Sequence, residues 1–267
     1  MPSIRVIVTR PAREAVRWVG DLRAAGIDAV ALPLIEIAPL QDPAPVNAAW
    51  QRLSRYRALM FVSAAAVEHF FKQKEAVVPA TSAQEAIDLI ANQRCWATGP
   101  GTAAALRSVG LPDDRIDTPP PGAAQFDSEA LWTVVRPQLQ PGAGVLIVRG
   151  GDADGRPTGR DWLAREIAAA GGICETVVAY RRLPPKLGEA ERQLAADAAH
   201  APAVWLFSSS EAVVHLRQAL PATSWRSACA VATHPRIAQA VNEAGFGTVV
   251  SSRPVLEAVV ASIESLR

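Results

Sequence analysis

Six short segments gather the residue types that hold anions: Thr9-Arg10-Pro11, Ser63-Ala64, Gly99 to Thr102, Arg149 to Arg160, Ser208 to Ser210, and Thr233 to Arg236. Each leaves an apolar run that reads as a strand and leads into a helical pattern. The first N–H groups of a helix have no partner inside it, and its dipole favours negative charge at that end. Taken singly, each Ser or Thr reads as an N-cap. Taken together, at strand ends where α/β sheets bind ligands, they point to a polyanionic ligand. One further group stands apart. Tyr180 lies in Ile173 to Pro184, ICETVVAYRRLP, a β-branched run closed by prolines.

Other chemistries lack their residues. The glycine-rich run RGGDADGRPTGR has neither the Lys-Ser/Thr of a P-loop nor a Gly-x-Gly-x-x-Gly fingerprint, and reads as a mobile loop over a cleft. No Ser-His-Asp or Cys-His set follows from spacing. Asp152, Asp154 and Asp161 read as solvated or capping. Cys95, Cys174 and Cys229 show no Cys-x-x-Cys spacing and read as buried, reduced thiols. The histidines, His69, His200, His215 and His234, have no metal-ligand spacing. An enzyme of this composition works by positioning and electrostatics.

The elements that position these loops alternate between strand and helix. Strands are predicted at Ile4–Val8, Asp28–Leu32, Ala58–Val62, Arg94–Thr98, around Ile116, at Val145–Val148, through the Tyr180 run, and at Val204–Phe207, Ala228–Ala232 and Thr248–Val250. Helices follow most of them, the one after Ser63 ending at Phe71. This is an α/β pattern of two similar domains with parallel sheets flanked by helices. ALMFVSAAAVEHF matches VWLFSSSEAVVHL, WATGPGTAAALRSVG matches VATHPRIAQAVNEAG, and RVIVTRP matches VLIVRGG. The offsets are near half the chain, which indicates an internal duplication. DLRAAGIDAVALPLIEIAPL likewise matches the helix and strand around Tyr180. Two tandem domains and a crossed arrangement, in which the N-terminal unit completes the C-terminal half, both satisfy this pattern.

The chain has 267 residues, enough for two domains, and 49% are hydrophobic, so each half can bury a core. A net charge of +1 makes no case for nucleic acid or a membrane surface. Arginine supplies 24 of the 27 basic residues, which reads as genomic base composition, although arginine is also the better fork for carboxylates. No apolar run is long enough to span a membrane, and the first strand begins almost at once, leaving no room for a signal peptide. The expectation is a cytoplasmic protein.

IVTRP, LPLIEIAP, MFVSAAAVEHF, ATGPGTAAAL, VLIVRGG with GRDWL, ETVVAYRR, LFSSSEAV and VATHPRIAQA, in this order over nearly the whole chain, resemble the uroporphyrinogen-III synthase family. No single motif is specific; the eight in register are. The resemblance implies the crossed topology: residues 1–36 plus 181–267 as one domain, 37–180 as the other, and bridging strands near 35–40 and 176–183. It implies a hinged cleft for hydroxymethylbilane, a linear tetrapyrrole with eight carboxylates. Loss of the terminal hydroxyl would give an azafulvene, and attack by ring D a spiro intermediate. Reclosure would invert ring D, without metal or cofactor. By the same resemblance Tyr180 is the catalytic candidate, assisting departure of the hydroxyl. The substrate-binding set is Arg10, Ser63, Gly99, Thr102, Arg149, Gly150, Arg160, Ser208, Ser210 and Arg236. Two departures stand out: the glycine-rich loop is longer than the family form, so Arg160 is chosen over Arg156, and His234-Pro235-Arg236 replaces a hydroxyl-bearing loop. A monomer is expected, receiving its substrate from hydroxymethylbilane synthase. The alternative is a non-catalytic module of the same fold that binds a tetrapyrrole or another polyanion. A nucleotide-dependent α/β enzyme is disfavoured by the missing phosphate fingerprints.

Overall fold

The computed structural model describes residues 4–77, 90, 92–200 and 202–266. In chain order the elements are β1 (Arg5–Val8), α1 (Ala12–Ala24), β2 (Ala29–Ala31), β3 (Glu36–Ala38), α2 (Ala44–Gln51), β4 (Tyr56–Phe61), α3 (Ala64–Val77), β5 (Arg94–Ala97), α4 (Pro100–Ser108), β6 (Ile116–Asp117), α5 (Ser128–Val135), β7 (Gly144–Gly151), α6 (Trp162–Ala169), β8 (Ile173–Leu183), α7 (Glu189–Ala198), β9 (Ala203–Phe207), α8 (Ser210–Ala219), β10 (Cys229–Ala232), α9 (Pro235–Glu243), β11 (Thr248–Ser251) and α10 (Leu256–Glu264). They fall into two compact units, Met1–Glu36 with Leu183–Arg267, and Ile37–Arg182. Among the described residues no helix is long and apolar enough to cross a membrane.

The first unit carries a five-stranded sheet in the order β11-β10-β9-β1-β2, and its paired strands run parallel. Side chains alternate across a strand, so successive residues feed opposite faces. Val204 and Leu206 join Val6, Val8 and Val231 beneath Trp18 and Leu22 of α1. Trp205 and Phe207 point the other way and stack at 6.0 Å, with Phe246 edge-on to both.

The second unit carries a six-stranded sheet, β3-β8-β7-β4-β5-β6. The same alternation divides β4. Leu59 and Phe61 pack with Trp50 and Phe70 on one face. Ala58 and Met60 pack with Leu131, Leu163 and Ile167 on the other. With both faces covered, the strand reads as a continuous apolar run, as parallel sheets require. Trp50 stacks on Phe70 at 4.7 Å and donates its indole N–H to the Phe70 carbonyl at 2.9 Å, so the ring buries no unpaired donor. At the edge, Arg94 grips Asp117 with both arms of its guanidinium, at 2.8 and 2.5 Å, and holds the two-residue strand β6 against β5.

The matched segments of the sequence lay β4 on β9, β5 on β10 and β7 on β1. The order β6-β5-β4-β7-β8 then coincides with β11-β10-β9-β1-β2. Both units are the same winding, the first closed by strands from the start of the chain. The counterpart of the long strand β8 is broken at Pro33 into β2 and β3. Proline cannot donate to a ladder, so the chain can leave one sheet there and enter the other.

Three local readings change. Strand β7 does not stop at Val148 but continues to Gly151, because Arg149, Gly150 and Gly151 go on pairing with Val178, Tyr180 and Arg181 of β8. Beyond Gly151 the chain makes a closed turn: the Asp152 carboxylate accepts the N–H groups of Asp154 and Arg156 at 3.0 and 2.9 Å, and Gly151 bridges to Pro157. Helix α3 runs past Phe71 to Val77, over Lys72-Gln73-Lys74-Glu75-Ala76, all good helix formers. Of the three thiols expected to be buried, Cys95 is, whereas Cys174 and Cys229 are half-buried near the starts of their strands.

Candidate active site

The site is built on β7 and β8 of the second unit. A bulge between Arg149 and Gly150 shifts their register, so Gly150 lies opposite Tyr180. The tyrosine ring rests against the Gly150 backbone. A Cβ on Gly150 would sit 2.6 Å from Cζ and 2.9 Å from the phenol oxygen, so only glycine leaves space for the ring. Tyr180 is 2% exposed. Its hydroxyl meets Ser63 Oγ at 3.0 Å, either oxygen being able to donate. Ser63 ends the loop from β4 and also accepts the Ala66 N–H at 3.1 Å, so it caps α3 and contacts the phenol at once. His69, further along α3, lies beside the tyrosine with ring centroids 5.6 Å apart.

Arg149 precedes Gly150 on β7 and pairs with Val178 of β8. Its Nη1 donates to the Arg160 carbonyl at 3.3 Å. Its Nη2 occupies the space a side chain on Gly159 would fill, at 2.5 Å from a built Cβ, and Gly159 has φ +94°, a left-handed conformation that glycine adopts freely. Among the described residues Arg149 Nε is buried without a hydrogen-bond partner. Burial lowers the Arg149 pKa, while attraction to Tyr180 and Asp161 works the other way. A half-buried cation with an unused donor is what an incoming carboxylate requires.

The remaining expected residues are spread more widely. Arg160 closes on Glu129 with both arms, Nη2 to Oε2 at 2.6 Å, and that hydrogen bond raises its pKa. Gly99 precedes α4, and Thr102 is buried within that helix. Thr98 ties the same loop to β4 by donating to the Val62 carbonyl at 3.3 Å. In the first unit, Arg10 pairs with Glu14 at 3.0 Å and lies 4.6 Å over the Trp18 ring. Burial lowers its pKa, and Glu14 opposes this. Ser208 and Ser210 are half-buried at the β9–α8 junction, but the cap there is Ser209, whose hydroxyl accepts the Glu211 N–H at 3.3 Å. Arg236 is exposed, and its N–H donates to His234 Nδ1 at 3.1 Å, so the imidazole does the capping of a hydroxyl. His69, Glu129 and Glu14 were not singled out from sequence, and Gly159 and Ser209 only as members of their loops. For His69 a signal existed: it aligns with His215 in the duplicated segments VEHF and VVHL.

Asp152 holds a turn, whereas Asp161 stands at the start of α6 without a side-chain cap and forms an exposed pair with Arg165 at 3.2 Å. Burial pushes the Cys95 thiol up to about 12 and Cys174 up to about 11, so neither offers a thiolate near neutral pH. Among the described residues no three His, Cys, Asp or Glu side chains are grouped as a metal would need.

Comparison with known proteins agrees with this architecture. The family model described as Uroporphyrinogen-III synthase HemD matches residues 16–261. A uroporphyrinogen-III synthase of Chlorobaculum parvum is 29% identical over 189 residues, 70% of this chain and 67% of that protein. Two crystal structures share the fold. A mutant uroporphyrinogen III synthase from Thermus thermophilus gives a TM-score of 0.56 at 18% identity, over 98% of both chains. The uroporphyrinogen-III synthetase of Helicobacter pylori gives 0.56 at 18%, over 99% of this chain and all of that one. A match over nearly the full length, on a duplicated parallel α/β winding, places this chain in the uroporphyrinogen-III synthase family.

Proposed function

We propose that this protein closes hydroxymethylbilane to uroporphyrinogen III with inversion of ring D, acting as a cyclising lyase. The observation that carries the reading is the Tyr180–Ser63 hydroxyl pair at 3.0 Å, seated on Gly150 beside a half-buried Arg149 with an unused donor. The first step is departure of the substrate's terminal hydroxyl as water, for which Tyr180 is the proton source. General acid assistance of this kind contributes about 10²–10⁴ in rate. The resulting azafulvene is attacked by the substituted carbon of ring D, and the spiro intermediate reopens and recloses with that ring turned over. Direct closure to the type I isomer needs no enzyme. The protein's task is therefore to hold the chain in the folded conformation, which is catalysis by orientation.

Carboxylate binding is assigned to Arg149, Arg10 and Arg236, with Ser63, Thr102, Ser208 and Ser210 and the backbone at Gly99 and Gly150. Arg160 enters the set by exchanging Glu129 for a substrate carboxylate. A monomer in the cytoplasm, supplied by hydroxymethylbilane synthase, completes the proposal.

The test is isomer analysis. The protein is given fresh hydroxymethylbilane, the products are oxidised, and uroporphyrins I and III are separated. Predominantly type III, proportional to enzyme and unchanged by chelators, is expected. Type I alone, at the rate of the blank and from folded protein, overturns the synthase and leaves a polyanion-binding module of the same fold.

A further inference from the structure

Tyr180 presents a difficulty for a group that must give a proton to a bulky substrate. It is 2% exposed, and its ring is enclosed by Gly150 and His69. Ser63, in contact with its hydroxyl, is half-buried and lies at the strand-to-helix junction, on the rim where such sheets bind ligands. A serine hydroxyl has two acceptor lone pairs and one donor. One lone pair of Ser63 takes the Ala66 N–H at 3.1 Å. If Tyr180 donates across the 3.0 Å contact, the second is taken as well. The one remaining valence of Ser63 is then its own proton.

From this geometry we infer that Ser63 is the group that touches the leaving hydroxyl, and that Tyr180 protonates Ser63 rather than the substrate. This rests on the synthase reading and deepens it. In the step, the Ser63 proton passes to the substrate hydroxyl, the C–O bond breaks with its electron pair going to oxygen, and water leaves. The Tyr180 proton moves onto Ser63 Oγ. The products are an azafulvenium cation and a Tyr180 phenolate. The proton released when the closed ring regains its pyrrole aromaticity returns along the same two oxygens, and no other reactant is consumed. Gly150 is necessary because a side chain there would displace the phenol from Ser63. Ser63 thus changes from a carboxylate contact to a catalytic residue.

The experiment compares single-turnover formation of type III product in wild type, Ser63→Ala, Ser63→Thr, Tyr180→Phe and the double variant Ser63→Ala/Tyr180→Phe. Circular dichroism and thermal melts confirm folding. Ser63→Ala and Tyr180→Phe are expected to lose turnover by a similar factor, about 10², and the double variant to be no worse than either. Ser63→Thr keeps both the hydroxyl and the cap and is expected to recover most of the rate, while a role in capping α3 alone would make the Ser63→Ala and Tyr180→Phe losses multiply in the double variant. A proton inventory in mixed light and heavy water is expected to be curved for wild type, with two protons in flight, and linear for Ser63→Thr/Tyr180→Phe. A Ser63→Ala enzyme at wild-type rate, multiplicative losses in the double variant, or a linear wild-type inventory overturns the relay. Wild type that forms only type I at the blank rate defeats the synthase reading itself, a separate outcome.

Discussion

The two units are the same winding with different uses of equivalent positions. Laying AVALPLIEIAP on CETVVAYRRLP places Ile35 where the second unit has Tyr180. Strand registers agree, since Val6 pairs with Ala29 as Val145 pairs with Cys174. By this register, one residue off the match of RVIVTRP with VLIVRGG, Arg10 corresponds to Arg149, while Ser209 corresponds to Ser63 and His215 to His69. In the first unit these residues find partners close by, although Arg10 Nε, like Arg149 Nε, is buried without a hydrogen-bond partner among the described residues. Arg10 is tied to Glu14 and lies over Trp18, Ser209 caps α8, and His215 Nδ1 meets the Leu34 carbonyl at 2.7 Å. In the second unit a phenol replaces the isoleucine, the serine contacts it, and the arginine donates to a backbone carbonyl where Arg10 holds a carboxylate. The fold supplies a rim of helix starts twice, and the side chains decide which rim is left with chemistry to do.

The largest expected effect comes from removing what distinguishes the second rim. Gly150→Ala should reduce type III formation at least as far as Tyr180→Phe, by about 10²-fold or more, and destabilise the protein by about 1–3 kcal/mol through overpacking. Isomer assays with thermal melts read both, and near-normal activity in Gly150→Ala would mean the ring is not held by that contact.

Next come the paired arginines. Arg149→Leu is expected to weaken substrate or product binding about 10- to 100-fold, the worth of a charge-assisted hydrogen bond, with a small change in melting temperature. Arg10→Leu should weaken binding less and lower stability more, because its charge is already shared with Glu14. Equal effects on affinity would remove the distinction between the rims.

Ile35→Tyr tests whether the phenol alone makes a site. Ile35 is 2% exposed, so the larger ring should cost about 1–3 kcal/mol and restore no turnover to Tyr180→Phe. Recovery of type III product would show the units to be interchangeable.

The smallest effect at neutral pH lies at the far end of β4. Tyr56 donates to Glu175 at 2.6 Å, and burial, with that bond, pushes its pKa up to about 12 from 10.0. A raised pKa on a group that is neutral when protonated adds stability below the unfolded value. That contribution is lost as pH rises through the folded value, between about 10 and 12. Denaturant titrations of Tyr56→Phe should lack this alkaline loss while matching wild type in isomer ratio.

Much of this was legible in the sequence, for local reasons. Alternating strand and helix periods, proline stops and three matched segments are properties of neighbouring residues, and they suffice for two parallel α/β halves. Tyr180, Ser63, Arg149 and Gly150 were legible as candidates because their types and places resemble a family pattern. Their assembly was not, because it depends on a one-residue bulge that sets Gly150 opposite Tyr180 and on a turn that folds Gly159 against Arg149. Nor could spacing reveal that Arg160 meets Glu129, 31 positions earlier, or that Asp152 closes the glycine-rich run. Amino-acid order determined which elements form and what chemistry they could carry. Register, burial and the pairing of distant charges decided how two equivalent rims use the same positions, since those depend on contacts that exist only once the sheets are built.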